Sequence, residues 1–183
     1  MNKQLNKHQK KGHYVEVFLA DNKGHELITF SGIILAHNAK FVQMIDFTDL
    51  IYDGYVVFRK SDISEIRCSN KEKFIKKILN KERILQQALI KCDPIGLTTM
   101  KKMLQAIKKS GKAIILERLY QKGNVFQIGP IHSTAKKVVR INYFNSEGIY
   151  ELKPVVSKYK EITYFRVDDN YSNLYSKYAK HIN

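Results

Sequence analysis

Residues 32–47 read Gly-Ile-Ile-Leu-Ala-His-Asn-Ala-Lys-Phe-Val-Gln-Met-Ile-Asp-Phe, and residues 129–144 answer with Gly-Pro-Ile-His-Ser-Thr-Ala-Lys-Lys-Val-Val-Arg-Ile-Asn-Tyr-Phe. Each stretch places a glycine in a strand, then a short polar turn, then an alternating strand, Phe41–Phe47 or Val138–Phe144. Working outward, a strand precedes each stretch, Tyr14–Leu19 and Ile114–Leu119. A polar turn follows, Arg59–Asp62 in one case and near Lys158–Lys160 in the other. Ile63-x-x-Ile66 and Ile162-x-x-Phe165 come next, and a helix closes each copy. Gly32 and Gly129 are 97 residues apart while Ile63 and Ile162 are 99 apart, so the copies differ by two residues in the intervening loop. A repeat of about 60 residues is the size of a small closed β-domain rather than of a solenoid unit.

The strands read with a period of two. Val15, Val17 and Leu19 share one face, Glu16 and Phe18 the other. Asp21–Gly24 is a turn, Leu27–Leu35 and Lys40–Phe47 are strands joined through residues 36–39, and Asp53-Gly54 marks a further turn before strands Tyr55–Phe58 and Ile63–Cys68. At Ser69 the period changes to helical. Ser69 and Glu72 form a capping box, and Phe74, Ile75, Ile78 and Leu79 make an apolar stripe that either continues through Leu85 and Leu89 or breaks near Asn80. Asp93-Pro94 and Gly96 interrupt the helix. Thr98 or Thr99 restarts it, with Met100, Met103, Leu104 and Ile107 at helical spacing and Gly111 as the stop. Residues 1–12 carry Lys3, Lys7, Lys10 and Lys11 and few apolar side chains, which predicts a disordered basic tail.

Thirty-two Lys and Arg against 17 Asp and Glu give a formal net charge of +15. Such a charge keeps a protein soluble, and it also attracts phosphate polymers through counterion release. The connector, residues 71–112, is the most basic stretch; its lysines form either a solvated helix face or a phosphate-facing surface. No apolar run reaches the roughly 18 residues of a membrane span, and the two cysteines lack the spacing of a disulfide scaffold or zinc knuckle. These features predict a cytoplasmic protein with no membrane partner.

The first copy resembles the Sm-like fold, the small barrel of RNA-associated ring proteins. Gly32, Ile34, Asn38, Phe41, Val42 and Ile45 occupy the places of its first motif, and Val57, Phe58, Arg59, Lys60, Ser61, Asp62, Ile63 and Ile66 those of its second. In the second copy Gly129, Ile131, Ala135, Val138, Val139, Lys158, Ile162 and Phe165 correspond. The resemblance implies that the two polar turns lie on one rim, where family members meet RNA. Val42 and Val139 stand in place of the family's base-contacting Asn, Asn38 and Ala135 in place of its Asp, and Lys60 in place of its Gly, so the usual uridine pocket is not expected. The family usually places a helix in front of the barrel, whereas here one follows each copy.

No phosphate loop, dinucleotide turn, paired carboxylates or metal-ligand spacing is present in the sequence, which predicts no enzyme activity, no cofactor, no catalytic residue and no metal ligand. Cys68 is expected to pack, Asp168-Asp169-Asn170 to cap the last helix, and Tyr171, Leu174, Tyr175 and Tyr178 to pack from that helix. The expected fold is mainly β with helices (α+β). It comprises a tail (1–12), a five-stranded Sm-like or SH3-like barrel (13–70), a basic helical connector (71–112) and a second such barrel with a C-terminal helix (113–183). The expected function is RNA or ribonucleoprotein binding through Asn38, Lys40, Arg59, Lys60, Lys136, Lys137, Lys158, Tyr159 and Lys160. A protein-interaction adaptor is the competing class, and an enzyme with a site at the barrel interface a third.

Overall fold

The computed structural model describes residues 1–21, 23–119 and 125–181. Of the expected turn at 21–24, Asn22 therefore lies outside the described residues, as do residues 182–183 of the second domain. The chain divides into two units, Met1–Leu97 and the residues from Thr98 onward.

The first unit begins with a helix rather than a tail. α1 (Asn2–Lys10) lies against β2, and its Leu5 is wholly buried. Gln9 Nε2 donates to the Leu35 carbonyl at 2.8 Å, and Asn6 Oδ1 is 3.0 Å from His37 Nε2. The expectation of disorder over 1–12 fails because one apolar side chain and these polar contacts suffice to dock a short helix on a neighbouring strand.

Five strands follow: β1 (Tyr14–Ala20), β2 (Glu26–His37), β3 (Phe41–Thr48), β4 (Ile51–Arg59) and β5 (Ile63–Arg67). They pair antiparallel in the order β5-β1-β2-β3-β4. No ladder joins β4 to β5 among the described residues, so the sheet does not close on itself as a barrel. The hairpin turn also differs from expectation. Thr48 pairs with Ile51 across a two-residue loop, Asp49 and Leu50, both at positive φ (50° and 65°), as a type I′ turn requires. Asp53 and Gly54 instead sit inside β4, where they jointly oppose Asp46 as a bulge with Gly54 at φ 73°.

Ser69 caps α2 (Asn70–Lys81) as expected: its Oγ accepts from the Lys71 N–H at 3.2 Å, and its own N–H donates to Glu72 Oε2 at 2.5 Å. The helix breaks at Arg83, which is left-handed, before α3 (Ile84–Lys91). Leu79, Leu85 and Ala88 from these helices pack with Tyr14, Ile33, Ile45 and Phe47 of the sheet. After α3 the Gln43 side-chain amide holds both the N–H and the carbonyl of Ile95, each at 3.2 Å. The expected separate connector over 71–112 is thus divided: α2 and α3 belong to the first unit and the next helix to the second.

The second unit opens with α4 (Met100–Ser110). Thr99 Oγ1 accepts from the Lys102 N–H, Gly111 ends the helix at φ 73°, and Met103, Leu104 and Ile107 are buried. Its strands are β6 (Ala113–Arg118), β7 (Val125–Thr134), β8 (Val138–Ile141), β9 (Val155–Lys158) and β10 (Tyr164–Val167), antiparallel in the order β10-β6-β7-β8-β9. β8 stops at Ile141, short of the expected Phe144, which forms a bridge with Tyr150 instead. Asp169 caps α5 (Asn170–Tyr178) by accepting from the Ser172 N–H at 2.7 Å. Of the four residues expected to pack from α5, Tyr175 stacks on Phe144, while Tyr171, Leu174 and Tyr178 are exposed. The chain is therefore mixed α+β, with ten strands and five helices among the described residues. None of these helices is long and apolar enough to cross a membrane.

Candidate nucleic-acid interface

In each unit two loops meet at one end of the sheet. The β2–β3 turn is closed by the Asn38 N–H donating to the Phe41 carbonyl at 3.0 Å, and the β7–β8 turn by Ala135 N–H to Val138 at 2.8 Å. Each last hairpin strand then runs into a single 3-10 turn, Lys60–Asp62 or Tyr159–Glu161. The first N–H of that turn is donated back to the other loop: Lys60 to the Lys40 carbonyl at 2.9 Å, Tyr159 to the Lys137 carbonyl at 3.0 Å. The two polar turns are adjacent in both units, as the resemblance implies.

The side chains around these turns have different employments. In the first unit Asn38 Oδ1 accepts from the Lys40 and Phe41 N–H groups, each at 2.8 Å, and Nδ2 donates to the Leu97 carbonyl at 3.3 Å. Asn38 thus shapes its own loop, and the expected contact with nucleic acid has little left to use. Lys60 Nζ donates to Asn2 Oδ1 of α1 at 2.9 Å, so this ammonium is tied to the N-terminal helix. Burial, and then the Lys60 charge, hold His37 beside it below the usual histidine range. Arg59 is half-buried at the end of β4, and Lys40 is exposed.

The second unit is more open. Lys136, Lys137, Lys158, Tyr159 and Lys160 line a depression of about 500 Å³. Tyr159 braces it: its hydroxyl donates to the Ala135 carbonyl at 3.0 Å while its N–H holds Lys137. Burial raises its pKa, so the phenol stays protonated and keeps donating. Lys158 is paired with Glu161 at 3.1 Å, and Arg118 reaches the same carboxylate at 3.1 Å. Lys136, Lys137 and Lys160 are exposed, and none of them has an acidic partner among the described residues.

A second hollow, of about 630 Å³, adjoins the same turn. It is lined by Lys102, Gln105, Ala106, Lys108 and Lys109 of α4 together with Thr134 at the end of β7. The sequence marks connector lysines as a phosphate-facing possibility but does not single out these three. The signal was present, since they fall off the Met100, Met103, Leu104, Ile107 stripe; what the sequence cannot supply is that α4 packs on β7 and β8. No protein-family model matches the chain, and no curated protein matches it.

Proposed function

We propose that this is a non-enzymatic RNA-binding or ribonucleoprotein-associated protein of the cytoplasm that grips single-stranded RNA through its phosphates, chiefly with the second unit. The observation that carries the reading is the depression bounded by Lys136, Lys137, Lys158, Tyr159 and Lys160, with the α4 lysines across the 134–137 turn. Ammonium groups at the edge of a shallow hollow are suited to backbone phosphates, which fix position without reading sequence. The half-buried Tyr159 ring is rigidly held and offers a surface against which a base can stack.

Support for the Sm-like resemblance comes from the adjacency of the two motif turns in both units and from α1, which stands in front of the first sheet where that family usually places a helix. Asn38 and Lys60 of the first unit serve the fold, so the family's contact positions contribute less there. The decisive experiment is a titration of labelled single-stranded RNA across a salt series. Salt-sensitive saturable binding supports the proposal. Absence of binding at low salt rejects it and leaves a protein-interaction role.

A further inference from the structure

The C-terminus of α1 turns back on itself. Lys11 ends the helix, Gly12 adopts φ 52°, the Gly12 N–H donates to the Gln9 carbonyl at 3.0 Å, and the His13 N–H donates to the His8 carbonyl at 3.0 Å. This pair of bonds is the Schellman motif, in which the residue after the glycine folds over the residue one turn back. An apolar pair usually fills those two positions. Here they are two histidines, with their Nδ1 atoms 3.1 Å apart and His8 only 7% exposed.

A third ligand arrives from the sheet. β1 and β5 pair with Glu16 opposite Arg67, so the residue after β5, Cys68, runs alongside the start of β1, next to His13. Cys68 is a free, half-buried thiol. One ring nitrogen from each histidine and the Cys68 sulfur all lie within 4.8 Å of one another. Residues spaced 8, 13 and 68 form no zinc motif in the sequence; the helix cap and the β1–β5 register bring them together.

We propose that His8, His13 and Cys68 form a three-ligand site for a thiophilic divalent cation of the zinc class, with water in the fourth position. Zinc–nitrogen bonds of about 2.05 Å at a tetrahedral angle put two imidazole nitrogens about 3.3 Å apart, close to the separation of the two histidines. Lys7, Lys11, Lys73 and Lys76 act on His13 electrostatically, so the surroundings repel a cation. Only a metal that bonds strongly to thiolate overcomes that repulsion, which favours zinc over magnesium or calcium. On binding, the thiol releases one proton to solvent and the metal replaces the hydrogen shared between the histidine rings. The displaced proton moves to Nε2 of the ring that held it, so both neutral imidazoles then carry their N–H on Nε2. The bound metal staples α1 to the β5–α2 junction.

The test uses the purified full chain with cobalt(II) as the optical probe. One equivalent of cobalt should bind and give a thiolate-to-metal charge-transfer band that zinc abolishes by displacement. Cys68→Ser should lose the band, whereas Cys92→Ser should keep it. In the unaltered chain, saturating zinc should slow alkylation of Cys68 about tenfold or more and leave Cys92 unaffected. That last measurement needs no variant to fold. Absence of stoichiometric cobalt binding, a band that persists in Cys68→Ser, or alkylation of Cys68 indifferent to zinc overturns the proposal.

Discussion

Gly32 stands so close to Ile45 that a Cβ on the glycine would lie 1.8 Å from the Ile45 carbonyl oxygen. Gly129 repeats the relationship, with the Asn142 carbonyl oxygen 2.0 Å from a built Cβ and φ at 144°. Both obstacles are backbone atoms, so neither can rotate away. Gly32→Ala and Gly129→Ala should each destabilise by about 3 kcal/mol or more, through forced backbone displacement at both and a disfavoured φ at the second. Urea unfolding followed by circular dichroism measures this. Unaltered midpoints would show that the strands separate there at little cost.

Leu5 provides a test of the N-terminal helix. It is fully buried within α1, whose other apolar contacts are few. Leu5→Ala should cost about 2–3 kcal/mol. Deletion of residues 1–12 should lower the thermal midpoint further, since it also removes the Gln9 and Asn6 contacts with β2. A midpoint unmoved by the deletion would mean that α1 contributes nothing to the stability of its unit.

Glu72 sets an acid limit on the first unit. It is wholly buried and accepts from the Ser69 N–H and from Arg67, which also reaches Glu16. Burial works against its charge, but the Ser69 hydroxyl and N–H, its own N–H and Arg67 outweigh this and hold its carboxyl at about 2, against an ordinary 4.5. A carboxyl with a depressed folded pKa stabilises fully above the ordinary value, and the contribution is lost as pH falls through the folded one. Stability of the unit should therefore decline between about pH 4.5 and 2. Glu72→Gln should cost about 1–3 kcal/mol near neutrality and flatten that decline. Parallel denaturation curves for the two proteins at each pH would contradict the assignment.

These cases show which features can be read from sequence. The caps at Ser69, Thr99 and Asp169 are legible because a helix N-terminus is satisfied by residues two or three positions away. The adjacency of the rim turns is expected only through the family resemblance of the two motifs. Gly54 was misleading because a glycine at positive φ serves a bulge as well as a turn, and Leu50 at φ 65° is not a residue type that announces a hairpin. The remaining surprises are long-range. Nothing local tells that Lys60 ends on Asn2, that Asn38 reaches Leu97, or that Leu5 finds a buried place. Motif positions best preserved in the first unit are spent on its own structure, whereas the second unit, with a poorer motif, exposes its lysines.

That contrast makes the last prediction directional. If RNA binds the second unit, removing the exposed ammonium groups Lys136, Lys137 and Lys160 with alanine should weaken binding strongly at low salt. The logarithm of the binding constant falls with log salt at about −0.7 per phosphate contacted on a single strand, so the triple variant should show a slope shallower by about 2. Replacing Lys102, Lys108 and Lys109 tests the hollow beside α4 in the same way. Exposed lysines cost little stability when removed, so the thermal midpoint should stay nearly unchanged in both variants. Arg59→Ala with Lys60→Ala should have the smaller effect on RNA, because Lys60 already serves Asn2, and should instead loosen α1. Tyr159→Phe removes the hydroxyl that holds Ala135 but keeps the ring. Binding should survive that change better than Tyr159→Ala if the ring stacks on a base. Equal losses in the two tyrosine variants would assign Tyr159 to bracing the loop rather than to contact. Salt slopes identical to the unaltered protein in both lysine variants would remove this rim from the RNA-binding surface.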